Sequence, residues 1–213
     1  MVTLKRFCGT ALFILFLILS AGLMTSCGSS SAEENRIEIR SNGTIIADSF
    51  AEFPKEQYNL TLFEEEAKAS VKAYNEAAGS TRIRFVGVTS KEGIAHLTMR
   101  YRSYEDYREF NHQDLYYGTV QDGLESLDLE GGTTLKSPDG TKSVTLRKLG
   151  TQEKEGEARW RIVAVKENVL VLHKGTPAYI SSNVVIDEDG SVRTNADPGE
   201  GELPQTAYIV YKK

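Results

Sequence analysis

The chain has 213 residues, 30 acidic against 25 basic side chains, a formal net charge of −5 and 40% hydrophobic residues. The acidic balance argues against nucleic acid or anionic lipid as the main partner, since both are bound by clustered Lys and Arg. Two cysteines, Cys8 and Cys27, are too few for a disulfide framework or a cysteine-ligated metal cluster.

Residues 1–26 have the parts of an export signal: Lys5 and Arg6, an apolar stretch over 11–19, then small residues ending in Thr25 and Ser26. The competing reading, an uncleaved membrane span over 7–24, is weakened by Gly9, Thr10, Ser20 and Gly22, which dilute the run. Leu23-Met24-Thr25-Ser26-Cys27 resembles the lipobox of bacterial lipoproteins, with Met24 where those proteins have Leu, Val or Ile. The resemblance implies a diacylglycerol on Cys27, which becomes the first residue after cleavage. The partner it implies is the cell membrane, held through the lipid anchor on its extracytoplasmic face. More than one acyl chain anchors stably where a single chain binds marginally. Residues 27–35 are the lipidated cysteine and a Gly/Ser-type flexible tether. Cys8, Lys5 and Arg6 leave with the signal, so the formal charge becomes −7 and no free thiol remains for catalysis.

The folded part is expected over 36–213. Alternation over 36–40, Asn42-Gly43 and a second apolar run over 44–50 predict a β-hairpin. Thr61 with Glu64 reads as a capping box, and Phe63, Ala67, Val71, Tyr74 and Ala78 recur at helical spacing up to Gly79. Residues 82–88 and 94–101 predict another strand pair. Ser103 with Asp106, and Thr119 with Asp122, predict two short helices. After Gly131 helical signals vanish. Residues 133–136 with 144–147, 160–165 with 169–173, and 178–186 with 191–194 then predict an antiparallel meander. Residues 195–205 read as a loop and 207–211 as a closing strand. The class is α+β, with antiparallel β-hairpins and one main helix in the N-terminal half and a β-rich C-terminal half. The reading is a single domain, with subdivision near 131 left open.

Motifs that announce chemistry are missing. His96, His112 and His173 fall in three elements without metal-ligand spacing, so no metal site and no cofactor are expected. No serine sits in a GxSxG elbow and no glycine-rich loop follows a strand. Glu64, Glu65 and Glu66 suit the first turn of a helix. Asp187-Glu188-Asp189-Gly190 starts like a calcium loop, but Pro198 stands where the bidentate Glu belongs. The most suggestive stretch is "RYRSYEDYREFNHQDLYYG". Its Arg100, Tyr101, Arg102, Tyr104, Tyr107, His112, Tyr116 and Tyr117 form a candidate binding surface, because such side chains join rigid apolar area to hydrogen-bonding ends. The competing account is a short helix docking its rings on a sheet.

The order of the lipobox, "NGTI", "YNEAAG", "YEDYREFN", "YYGTV" and a terminal "AYIVYK" resembles surface lipoproteins of low-GC Gram-positive bacteria. That resemblance transfers no site beyond Cys27. The functional expectation is a lipid-anchored extracytoplasmic lipoprotein with a non-catalytic binding or scaffolding role at the cell envelope, toward an unidentified protein or glycan. The alternative is a carboxylate-dependent cell-envelope or glycan hydrolase, which needs only two suitably spaced carboxyl groups. A third reading is an accessory subunit or inhibitor of a neighbouring membrane complex.

Overall fold

The computed structural model describes residues 34–54, 58–127, 129–195 and 204–212. The export signal and Cys27 lie outside the described residues. The chain is α+β, with thirteen strands described in two mostly antiparallel sheets.

The opening hairpin forms as its alternation dictates. β1 (Arg36–Ile39) buries Ile37 and Ile39 and turns Arg36 and Glu38 outward. It pairs antiparallel with β2 (Ile45–Glu52), and Gly43 takes the positive φ of 82° that the turn requires. The main helix, α1 (Leu60–Ala77), is capped by Asn59 rather than by Thr61. The Asn59 Oδ1 accepts from the amides of Thr61 and Leu62, at 2.9 and 3.2 Å, and so satisfies two donors that the first turn leaves free. Glu64 and Lys68 pair at 2.6 Å, as their spacing predicts. β3 (Ile83–Lys91) and β4 (Ile94–Tyr101) form the second hairpin, with a bulge between Phe85 and Gly87. α2 (Tyr104–Asn111) and α3 (Val120–Ser126) start at Ser103 and Thr119, whose side chains accept from the amides of Asp106 and Asp122. Between them lies β5 (Leu115–Gly118), which the sequence reading does not contain.

The C-terminal half departs from a meander. β6 (Thr134–Lys136) and β7 (Ser143–Thr145) pair as expected, but residues 146–154, partly read as strand, form a helix, α4 (Leu146–Lys154). Thr145 caps it, and Leu146, Leu149 and Gly150 are its buried side. β8 (Trp160–Val165) and β9 (Leu170–His173) are not partners: they enter different sheets. The expected strand over 178–186 splits into β10 (Pro177–Ile180) and β11 (Val184–Ile186), also in different sheets. β11 pairs with β12 (Val192–Thr194), and β13 (Ala207–Lys212) closes the chain.

The seven-stranded sheet runs β11-β12-β9-β1-β2-β4-β3, and the six-stranded sheet β5-β8-β13-β10-β6-β7. β9 joins β1 in parallel, so strands from the two halves of the chain share one sheet. The sheets face each other across one core, with Ile37, Ile39, Ile45 and Val171 on one side and Val163, Val165, Ile209 and Tyr211 on the other. The second face of the six-stranded sheet is covered by α3 and α4, through Val120, Leu146 and Leu149 against Ile162, Tyr208 and Val210. α1 covers β3 and β4 from inside with Val71 and Phe63. The outer face of the seven-stranded sheet carries no helix among the described residues.

Candidate functional site

The stretch from Arg100 to Gly118 does not form one surface. Tyr101, Tyr107 and Tyr116 are 2, 5 and 5% exposed and belong to the core. Tyr101 and Tyr107 meet edge to face at 5.0 Å, and Tyr104 meets Tyr116 likewise at 5.1 Å. Their hydroxyls are spent internally: Tyr101 donates to Asn111, Tyr107 to Glu167 and Tyr116 to the Thr119 carbonyl. The competing account, a short helix docking its rings on a sheet, holds for Tyr107 on α2, and Tyr101 and Tyr116 are buried on β4 and β5, which corrects the binding-surface reading for these three rings. Tyr104 and Tyr117 are half-buried, while Arg100, Arg102 and His112 are exposed, His112 as the left-handed cap that ends α2.

Glu167, in the turn after β8, points its carboxyl into the interior beside Tyr107, at 2.8 Å. Burial pushes it up to about 7, although the Tyr107 hydroxyl pulls the other way, and Asp114 adds to the rise. The Glu167 carbonyl accepts from the Thr194 hydroxyl and the Asn195 amide, tying this turn to the end of β12.

On the outer sheet face Asp48, His96 and Thr98 sit on neighbouring strands. Asp48 Oδ1 accepts from His96 Nε2 at 2.8 Å and from Thr98 at 2.6 Å, and Oδ2 accepts from Arg36 at 2.7 Å. Burial raises the Asp48 carboxyl, but these bonds, Thr98's foremost, outweigh it and hold it below its ordinary value. Because the carboxylate only accepts, His96 Nε2 carries the hydrogen, and it faces Thr98 at 3.2 Å with no lone pair for the hydroxyl proton. The trio is therefore not a nucleophile and base. Phe50 stacks on the ring at 4.3 Å and 8°.

The larger described cleft, about 870 Å³, lies where the β1–β2 turn, the end of β9 and the β11–β12 turn converge. Arg40, Asn42, His173, Lys174 and Ser191 are among its lining, together with Glu38 and Asp189. His173 Nδ1 accepts from the Gly175 amide at 2.9 Å, so the hydrogen of the neutral ring is on Nε2, which faces the Tyr117 hydroxyl at 3.4 Å. The ring lies 4.1 Å from that of Tyr211, and burial pushes its pKa down. Both cleft carboxylates are engaged. Glu38 accepts from Arg40 at 3.1 Å, and Asp189 accepts from the Ser191 hydroxyl and amide, which lower its pKa. Asn42-Gly43 and Asp189-Gly190 are legible as turns. Their convergence depends on β9 lying between β1 and β12, which no local pattern announces. A shallower groove of about 510 Å³ runs along α1, with Lys68 set over the Phe85 ring at 5.3 Å.

Among the described residues no group of three or more His, Cys, Asp or Glu could hold a metal ion, and no helix is long and apolar enough to cross a membrane. No protein-family model, curated protein or solved structure matches the chain.

Proposed function

We propose that this chain is a lipid-anchored extracytoplasmic protein of the cell envelope that binds a partner or ligand without catalysis, and that the cleft around His173 is its binding site. The observation that carries this reading is the state of the cleft carboxylates. Glu38 and Asp189 are held in structural hydrogen bonds, and the acid of a glycosidase instead needs a carboxyl that burial has raised. The one described carboxyl so raised, Glu167, is bonded to Tyr107 and does not line either cleft.

The anchor is tested by metabolic labelling with an acyl-chain analogue: wild type takes the label and Cys27→Ala does not, and an unlabelled wild type overturns the anchor. Binding is tested in the native, membrane-held protein with a photo-crosslinking residue in place of Lys174, exposed at the cleft, or of Lys154 on α4. The expected result is a discrete adduct from position 174 and none from 154. Identical patterns at both positions would remove the cleft from consideration.

A further inference from the structure

We propose that the outer face of the seven-stranded sheet is a membrane-docking face that seats Arg84, Arg100 and Arg102 on anionic phospholipid headgroups. The inference rests on the reading of Cys27 as a lipid anchor.

The register of β3 and β4 sets Arg84 directly opposite Arg100, and both are exposed on the outer face. Arg102 stands two residues beyond Arg100, where side chains return to the same face, and its amide donates to the Arg82 carbonyl and continues the ladder. Like charges directly opposed across a strand pair destabilise it, whereas opposite charges stabilise it. No acid lies within ion-pair distance of these three side chains among the described residues, whereas Arg36, Arg40 and Arg193, elsewhere on this face, are each paired. Two acids of the face are neutralised from within it, Glu38 by Arg40 and Asp48 by Arg36, while Glu52, exposed at the end of β2, stands opposite Ile94, six residues along β4 from Arg100. The arginines are therefore left for an anion from outside, and guanidinium forks fit phosphate oxygens.

Three further observations choose the bilayer surface as that anion. Among the described residues the face is the one sheet face without cover, and it is not purely polar. Leu172 and Val185 point outward by register and are 36 and 50% exposed, and Val86, the extra residue of the β3 bulge beside Arg84, is 59% exposed. Arginine beside exposed apolar side chains is the composition of an interfacial surface. Finally, β1 is the fourth of seven strands, and Cys27 precedes Arg36 by nine residues, which span at most about 32 Å. A chain anchored at Cys27 holds the middle of this sheet within reach of the headgroups. Each arginine near an anionic surface biases the docked state by roughly fivefold.

The test uses the full lipidated chain on vesicles of phosphatidylcholine alone or with phosphatidylglycerol, the latter set also carrying a lipid-borne quencher. With Cys27 acylated, the mature chain has no free thiol, so a fluorophore can be placed singly at Val86→Cys, Val185→Cys or, on α4, Lys154→Cys. Docking predicts quenching at 86 and 185 and none at 154, with quenching reduced at least tenfold by high salt and by R84E/R100E. R84Q/R100Q, with melting followed by circular dichroism, separates loss of docking from loss of fold. A protein that floats with the vesicles but is quenched equally at 86 and 154, or is unaffected by R84E/R100E, overturns the proposal; the latter result would mean that the arginines serve an acidic protein partner. Failure to float with phosphatidylcholine vesicles overturns the anchor instead. In that case the label is placed in a Cys27→Ser background, and quenching at 86 on anionic vesicles with none at 154 still upholds the docking face.

Discussion

Glu167 and His173 are two partly buried titratable groups whose effects on stability have opposite sign. The Glu167 carboxyl is raised from 4.5 to about 7, so above 4.5 the unfolded chain gives up this proton more readily than the folded one. Its contribution therefore makes the fold weaker as pH rises from 4.5 to about 7. Glu167→Gln, which keeps an acceptor for Tyr107, is expected to stabilise by roughly 1–3 kcal/mol at about pH 8 and to change little near pH 5, measured by urea unfolding. His173 acts the other way. Its folded pKa lies below 6.5, so as pH falls through 6.5 the unfolded chain takes up the proton first and stability drops. In the Glu167→Gln background, acidification from pH 7 to 5 should destabilise, and adding His173→Phe should flatten that slope; an unchanged slope would remove His173 as its source. Packing at single positions is equally testable. A Cβ on Gly123 would stand 2.7 Å from the Tyr116 ring and 2.6 Å from Leu129, so Gly123→Ala is expected to cost about 1–3 kcal/mol despite alanine's better helix propensity, read as a lowered urea midpoint.

Among the elements, α1 depends on a side chain that a capping-box search passes over. Asn59→Ala should cost about 1 kcal/mol, where Thr61→Ala should cost little, a difference that thermal melts can resolve. Elements with their own local signal were legible: the Asn42-Gly43 hairpin, α1, the β3–β4 hairpin, the Ser103 and Thr119 caps, and β13. α4 was not, because Gly150 and Thr151 interrupt its apolar side. It is held as a helix by Leu146 and Leu149 packing under α3, which is a tertiary cause. β8 and β9 looked like a hairpin because Glu167-Asn168 is a good turn, yet the turn passes the chain from one sheet to the other. Of the His173 cleft only the two turns, Asn42-Gly43 and Asp189-Gly190, are legible in the sequence, because their convergence is set by long-range strand order. Composition points to Arg100 and Arg102 on the outer face, but Arg84 joins them only through register. The tyrosines between have a chemistry that serves the core equally well.

For the molecule as a whole, net charge concealed its distribution: an acidic chain can still gather unpaired arginines on one sheet face, and composition has no access to faces. The two sheets also bear on the break at Gly131-Gly132. β5 belongs to the N-terminal half and finds its partner, β8, in the other, while β9 flanks β1 from the C-terminal half. Separate fragments 34–130 and 131–213 are therefore expected to give poorly dispersed amide spectra alone and a folded spectrum together; a dispersed spectrum from either alone would establish an independent domain. The parallel contact of β1 with β9 also has a consequence in time. Residue 36 waits for residue 170, and at roughly 5–20 residues per second that wait is on the order of ten seconds in a chain made amino end first. Through that interval the first hairpin has a bare flank, an invitation to pair with the wrong chain. A holding factor that keeps the incomplete chain apart from its copies is therefore expected to raise the folded yield of this protein.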